Sequence, residues 1–301
     1  MRVLVVDGNN IIARNQMVFP AACTPDGVPT GGIYGSVMML RNYLASAPHD
    51  AVVFALDWGK PAFRTVICPE YKAQRAEERS AEEERNWQNY RAQCKYAHEV
   101  VGPLGMVTAR AKDWEGDDVI AALCLHRLKD HECTIYSSDK DYTQLVDGTR
   151  VNFYDLTSTD LIKTDPDYVL KRCMDPKASD NLDGVPGVGP KKAEWLIEQS
   201  QARTPDALIA WCVANSENPS YPPGKLKIIN GVVAEQQKVR ANWQCTKLSL
   251  TASECDAALK FRRRTPDIGE FIEACRAYAL QPILRDARSV FLPFANLRCP
   301  V

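Results

Sequence analysis

Three short apolar runs each close on an acidic residue. Val3-Leu4-Val5-Val6 runs into Asp7, and Val52-Val53-Phe54-Ala55-Leu56 runs into Asp57; Cys133-Thr134-Ile135-Tyr136 leads through two serines to Asp139 and Asp141. Uninterrupted β-rich runs separated by long helical stretches read as buried parallel strands. The fold expected is therefore α/β, a mainly parallel central sheet flanked by helices. Ligands in such sheets sit at the carboxyl ends of the strands. Between the second and third runs, Glu115-Gly116-Asp117-Asp118 opens a helical stretch. Seven carboxylates thus point to one pocket, and their mutual repulsion calls for divalent metal as compensation.

One helical turn puts Glu115 and Asp118 on one face, with Asp117 displaced by roughly 100°. Asp139 and Asp141 flank Lys140 in a strand-to-helix turn, where alternation aims both the same way. Oxygen donors without His or Cys favour Mg²⁺ or Mn²⁺ over zinc. Two such ions about 4 Å apart can activate a water and stabilise the leaving oxygen of a phosphodiester. The plainer reading is that each Asp is a helix N-cap. That suffices for any one position, but caps do not need three acids within 115–118 or a second pair after another strand.

The chain has 301 residues with net charge −1, so its average charge advertises no polyanion partner. Eleven cysteines without a CxxC pair read as reduced thiols in a cytosol rather than a disulfide framework or zinc ribbon. Four histidines without HxxxH pairing argue against a zinc hydrolase. The start of the chain reads directly as a strand, without a signal-peptide core, and no stretch approaches membrane-spanning length.

The first half alternates strand and helix. Thr30–Ser46 reads as a helix with Ile33, Val37, Leu40 and Leu44 on one face, Trp114–Leu128 as another, and Met106–Thr108 and Val151–Tyr154 as strands. Residues 62–101 form a charged insertion. Its run Glu77–Arg85 reads as a solvated helix face, whereas Phe63-Arg64 followed by Tyr71-Lys72 and Arg75 reads equally as a solvated face or as a phosphate contact beside a stacked base. From about 165 the chain reads as helices joined by Pro- and Gly-marked loops. There, Asp180–Ala193 carries Gly187-Val188-Gly189 ahead of Pro190, Lys191 and Lys192. Glycines admit a phosphate to the backbone and the following helix start offers N–H groups, the pattern of a helix–hairpin–helix. Arg262-Arg263-Arg264 reads either as a further backbone contact or as a solvated basic corner.

These strings resemble the structure-specific 5′-nucleases, or flap endonucleases. The matching residues are Leu4–Asn10, Tyr34-Gly35, Phe63-Arg64 with Tyr71-Lys72 and Arg75, Glu115 with Asp117 and Asp118, Ser138–Asp141 with Gln144–Val146, and the 180–193 hairpin, in family order across residues 1–200. The length, with no polymerase attached, looks most like the free-standing phage 5′→3′ exonucleases. The resemblance implies a sheet core over 1–165 with a helical arch from 62–101. It also implies a helical DNA-binding region over 166–301, with the helix–hairpin–helix at about 180–200. Asp7, Asp57, Glu115 and Asp117 match a first metal cluster, and Asp118, Asp139, Asp141 and Asp180 a second cluster or a bridge. Arg64, Lys72 and Arg75 match basic arch residues at the scissile phosphate, with Tyr71 stacking on a base. The hairpin would hold duplex DNA, with K⁺ at its carbonyls. Two departures stand out: position 177 is Lys where the family carries Asp, leaving Asp175 as the substitute, and Asp183 replaces a usual proline.

The expected function is Mg²⁺- or Mn²⁺-dependent hydrolysis at 5′ ends of duplex, nicked or flap DNA, with RNA in hybrids a further substrate. The setting is phage-type replication or recombination in the host cytoplasm. The rivals are a PIN-like endoribonuclease, normally shorter and without the hairpin, and a catalytically silent DNA-structure binder. An Asp-nucleophile phosphatase would want DxD after the first strand, and Asp7-Gly8-Asn9 does not supply it.

Overall fold

The first apolar run forms strand β1 (Arg2–Asp7), buried from Val3 onward. Helix α1 (Gly8–Val18) follows without a loop, because the Asp7 carboxylate caps it by accepting from the Asn10 N–H. In the computed structural model, which describes residues 1–69, 71–72, 79–175 and 182–301, the chain continues through α2 (Gly31–Ser46), β2 (Ala51–Ala55), α3 (Ala62–Ile67) and α4 (Ala81–Val101). Next come β3 (Val107–Ala111), α5 (Gly116–Ala122), β4 (Glu132–Ser137), β5 (Val151–Asp155) and β6 (Asp160–Leu161). Helices α6 (Tyr168–Met174), α7 (Pro190–Ser200), α8 (Pro205–Ala214), α9 (Pro223–Ala234), α10 (Gln236–Thr246) and α11 (Ala252–Ala258) lead to β7 (Leu259–Arg262) and α12 (Ile268–Ala277).

Two units result. The sheet unit gathers Met1–Lys60, Arg79–Lys163 and Thr251–Val301, and the helical unit gathers Pro61–Glu78 and Thr164–Leu250. The strand order is β6-β5-β4-β1-β2-β3-β7. β1, β2, β3, β4 and β5 run parallel, and the edge strands β6 and β7 are antiparallel to their neighbours. This is the mainly parallel, helix-flanked sheet expected. After β3 the chain returns to the other side of β1 to build β4, so the strand order reverses beside β1. Such reversals open a crevice at the carboxyl ends of the strands. Register brings the ends level there: Asp7 lies beside Ala55, and Val6 beside Tyr136.

Leu4, Val6, Ile11, Val52 and Phe54 are fully buried in the sheet unit's core, with Ile33, Val37 and Leu40 from the predicted face of α2. Burying each such side chain contributes about 1.5–3 kcal/mol. The region after 165 is mainly helical, and its last stretch, Thr251–Val301, packs with the sheet. Leu259 and Phe261 lie beside Ala111 and Ala109, and Phe271 of α12 joins the core. A four-residue strand whose alternate positions are Lys260 and Arg262 carries too short a pattern to stand out beside Arg263-Arg264. The helix expected over Trp114–Leu128 is α5 followed by a π turn at Leu123–Arg127.

The helical unit has its own core, including Leu170, Val188, Leu196, Leu208 and Ile229. Asn242 donates to the carbonyls of Cys173 and Asp183 at 3.0 and 2.9 Å, joining α6 to the loop before α7. Among the described residues, no helix is long and apolar enough to cross a membrane.

Candidate metal centre

Three elements of the sheet unit deliver acids to the crevice. Asp7, at the end of β1, is 7% exposed. It accepts from Asn10 N–H at 3.0 Å through one oxygen, and from Ser137 Oγ and Tyr142 OH at 2.8 and 3.0 Å through the other. Burial nevertheless raises its pKa, against these hydrogen bonds and with help from the charge of Asp117.

Asp57 follows β2 and is gripped by Asn9, whose Nδ2 donates to Oδ2 at 3.0 Å and whose Oδ1 accepts from Asp57 N–H at 2.8 Å. Asn9 Nδ2 also donates to Tyr90 OH of α4 at 2.5 Å. The other Asp57 oxygen accepts from Gly116 N–H at 2.6 Å. A Cβ on Gly116 would lie 2.9 Å from that oxygen, so glycine is what lets the carboxylate reach the start of α5. The Asp57 residue keeps a solvent-facing side, yet its carboxyl is packed in by protein. That dehydration, followed by crowding from Asp117, Asp7 and Glu115, pushes it up to about 7.

Glu115 and Asp118 form a capping box at the start of α5, with Glu115 N–H donating to Asp118 Oδ2 at 3.4 Å. Asp118 N–H donates to Asp117 Oδ1 at 2.8 Å. One carboxylate oxygen from each of Glu115, Asp117 and Asp118 lies within 4.8 Å of the other two. Glu115 and Asp118 are buried and Asp117 is half-buried. Asp117 is the acid whose charge acts on both Asp7 and Asp57, which joins the three groups into one cluster.

The Asp139–Asp141 pair takes a tighter form than strand alternation. Asp139 caps a 3-10 turn (Lys140–Leu145) and accepts from Asp141 N–H at 2.9 Å. Ser137 ties this turn to the first cluster: its hydroxyl donates to Asp7, and Asp139 N–H donates to it at 3.1 Å. Ser138 donates to Asn10 Oδ1 through N–H and Oγ at 3.2 and 2.9 Å. Burial pushes the Tyr142 phenol well up, as do the charges of Asp7, Asp117 and Asp139 around it. Lys140 pairs with the buried Asp155 at the end of β5, and Asp155 also accepts from Ser158 and Thr157 N–H.

Asn9, Gly116, Ser137, Tyr142 and Asp155 had no role in the sequence reading. Asn9 lay inside a motif string, but nothing in the order of residues shows that Tyr142 or Asp155 reaches a partner across the sheet.

The other candidates belong to the helical unit. Arg64 is 2% exposed and its Nε donates to the Cys245 carbonyl at 3.1 Å. Tyr71, expected to stack on a base, is 5% exposed and packs with Leu182, Cys245 and Ile67. Lys72 Nζ stands 4.9 Å from the same ring. Gly187 adopts φ +77°, which opens the turn into α7, and Lys192 Nζ donates to its carbonyl at 2.7 Å. That ammonium occupies a carbonyl the K⁺ expectation would use. Val188 is buried, Gly189 caps α7, and Lys191 is exposed. Asp175 ends α6. Arg75 and Asp180 lie outside the described residues.

Residues 2–174 match the family described as 5′-3′ exonuclease, N-terminal resolvase-like domain. DNA polymerase I of Bacillus subtilis is 30% identical over 212 residues, 66% of this chain. The chain covers 23% of that relative, so it spans less than a quarter of its length. A bacteriophage T5 5′-exonuclease structure with bound zinc superposes with a TM-score of 0.66 at 21% identity, covering 92% of this chain and 98% of that one. The bacteriophage T5 D15 flap endonuclease in a complex with DNA and metal ions gives 0.65 at 21% identity, covering 98% and 99%. At these identities the superpositions establish a shared fold.

Proposed function

We propose that this chain, which belongs to the 5′-3′ exonuclease family, is a divalent-metal-dependent nuclease that hydrolyses phosphodiester bonds at 5′ ends and flaps of duplex or nicked DNA. The observation that carries the reading is the cluster of Asp7, Asp57, Glu115, Asp117 and Asp118, where dehydration first and the neighbouring acids second push Asp57 up to about 7. A fold that stores this much unfavourable charge is suited to a hard cation. The all-oxygen donor set fits Mg²⁺, with Mn²⁺ as substitute. Metal-bound and DNA-bound T5 nucleases sharing the fold support the same reading.

Asp7, Asp57, Glu115 and Asp117 would hold one ion. Asp118, Asp139, Asp141 and Asp180 would hold or bridge to a second. When bound, such ions supply a water acidic enough to attack phosphorus and positive charge for the oxygens that become more negative. The chain's own groups do the positioning. Asn9 and Gly116 N–H fix both oxygens of Asp57, and Ser137 with Tyr142 fixes one oxygen of Asp7. Lys72 and Arg75 would add positive charge at the phosphate. The Gly187–Lys192 turn would hold the duplex backbone through α7's first N–H groups and Lys191. The setting that goes with this reading is replication or recombination in the cytoplasm.

The test is incubation with 5′-labelled duplex, nicked and flap DNAs. Short 5′ products with Mg²⁺ and none with EDTA are expected. Structure-specific binding without cleavage in Mg²⁺ or Mn²⁺ would overturn the proposal in favour of a silent DNA binder.

A further inference from the structure

The edge of the sheet unit carries a cationic, aromatic strip that metal chemistry does not use. Antiparallel pairing of β3 with β7 sets Lys260 beside Arg110 and Arg262 beside Thr108. Alternation puts Lys260 and Arg262 on one face of β7, and Leu259 and Phe261 on the other. Lys260, Arg262 and Arg263 are exposed. Burial and the charge of Arg262 both lower Arg110. His98, hydrogen-bonded to Thr108 at 3.1 Å, is pushed down to about 4 by burial and then by Arg264 and Arg262, against the pull of Glu99. Two acids beside the strip are already engaged: Glu270 pairs with Arg264 at 3.0 Å, and Glu99 accepts from Tyr278 OH at 2.6 Å.

The strip meets the metal centre at Trp58, the residue after Asp57. Its ring is held by Arg110, whose guanidinium carbon lies 4.2 Å from the ring centroid. Its backbone is built into place: Trp58 N–H donates to the Trp114 carbonyl at 3.0 Å, and Asp113 N–H donates to the Trp58 carbonyl at 2.8 Å. A Cβ on Gly59 would lie 2.8 Å from Asp113 Cα, so the two loops touch closely. Trp58 nonetheless remains 38% exposed. Gathering like charges around an exposed aromatic costs energy in the free protein, and a polyanion with unstacked bases is the ligand that offsets it.

We propose that Trp58, Arg110, Lys260 and Arg262 form a binding track for single-stranded DNA leading to or from the metal centre. A base stacks at the Trp58–Arg110 pair, and Lys260 and then Arg262, farther along β7, contact successive phosphates on the β7 side of that pair. The direction of the strand as substrate rests on the nuclease reading; the track itself does not.

Fluorescence anisotropy of a 5′-fluorescein oligothymidylate, titrated in EDTA across a salt series, tests it without cleavage. Trp58→Ala is expected to weaken binding about tenfold, and Trp58→Phe to recover most of the loss. Lys260→Ala with Arg262→Ala, both exposed and safe for folding, is expected to lower the slope of log K against log salt by about 1.4, near 0.7 per lost contact. Wild-type affinity in Trp58→Ala, or a wild-type salt slope in the double variant, would overturn the track. Should Trp58→Ala melt early, the double variant's slope decides alone. If the wild type fails to cleave in Mg²⁺ while these binding losses appear, the nuclease reading falls and the track stands. If it cleaves and the variants bind normally, the track falls alone.

Discussion

The acids at the ends of β1 and β2 and those of the Asp139–Asp141 turn have the same chemistry but different support. Asp7 and Asp57 are each fixed through both oxygens, by Asn10, Ser137 and Tyr142 in one case and by Asn9 and Gly116 in the other. They sit at strand ends whose positions the parallel register dictates. Asp139 is exposed and Asp141 half-buried, and both lie on a 3-10 turn held by Ser137, Ser138 and the Lys140–Asp155 pair. One group is held through both carboxylate oxygens and crowded by neighbouring acids; the other depends on ties from neighbouring side chains. The first should therefore dominate metal affinity, and the second should be the more adjustable.

The largest expected effect is that of Asp117→Ala, the acid coupled to both Asp7 and Asp57. Turnover of a flap substrate should fall about a thousandfold or more while DNA binding is retained or tightens. Retained turnover would break the assignment of the first group. Gly116→Ala should come next, because its methyl displaces the Asp57 carboxylate from the helix start. A loss of about 10- to 100-fold in Mg²⁺ affinity is expected, read by calorimetry, and an unchanged affinity would show that Asp57 does not bind metal.

Asp155→Ala probes the second region alone. Burial would raise this carboxyl, but Lys140 and the hydrogen bonds from Ser158 and Thr157 outweigh it and hold the group well below the usual range. A depressed carboxylate stabilises the fold above its unfolded pKa of about 3.9, and that contribution is lost as pH falls through the folded value. The variant should be less stable by about 1–3 kcal/mol at pH 7, with the gap closing in acid. A gap unchanged down to pH 2 would sink the account of the pair.

A smaller effect distinguishes the regions by pH. Asp57 is raised to about 7, so its protonated form favours the folded state. That contribution is present below the unfolded pKa and is lost as pH rises through about 7. The metal-free protein should melt slightly lower at pH 8 than at pH 5 from this group, and saturating Mg²⁺ should remove the difference. Melting curves with EDTA and with Mg²⁺ check this; an Mg²⁺ effect equal at both pH values would contradict it.

Much of the sheet was legible because buried parallel strands leave unbroken apolar runs, and the acids that end them mark the crevice. Strand β7 was not, since Lys260 and Arg262 interrupt its pattern and its pairing with β3 spans about 150 residues of chain. The acids of the centre could be listed from the sequence, but the hydrogen bonds that sort them could not. Tyr142 reaches Asp7 and Asp155 reaches Lys140 only once β1, β4 and β5 are side by side. Burial also distinguishes two aromatics. Tyr71 is packed inside the helical unit, whereas Trp58, without a role in the sequence reading, is presented beside Asp57.

The crowded acids around Asp117 are proposed to form a divalent-cation site. Titrating Mn²⁺ into the protein and following free Mn²⁺ by electron paramagnetic resonance tests it most directly, with no DNA present. Saturable binding in the wild type, lost in Asp117→Ala and competed by Mg²⁺, is the predicted result. Equal Mn²⁺ binding by wild type and variant, or none by either, would contradict it.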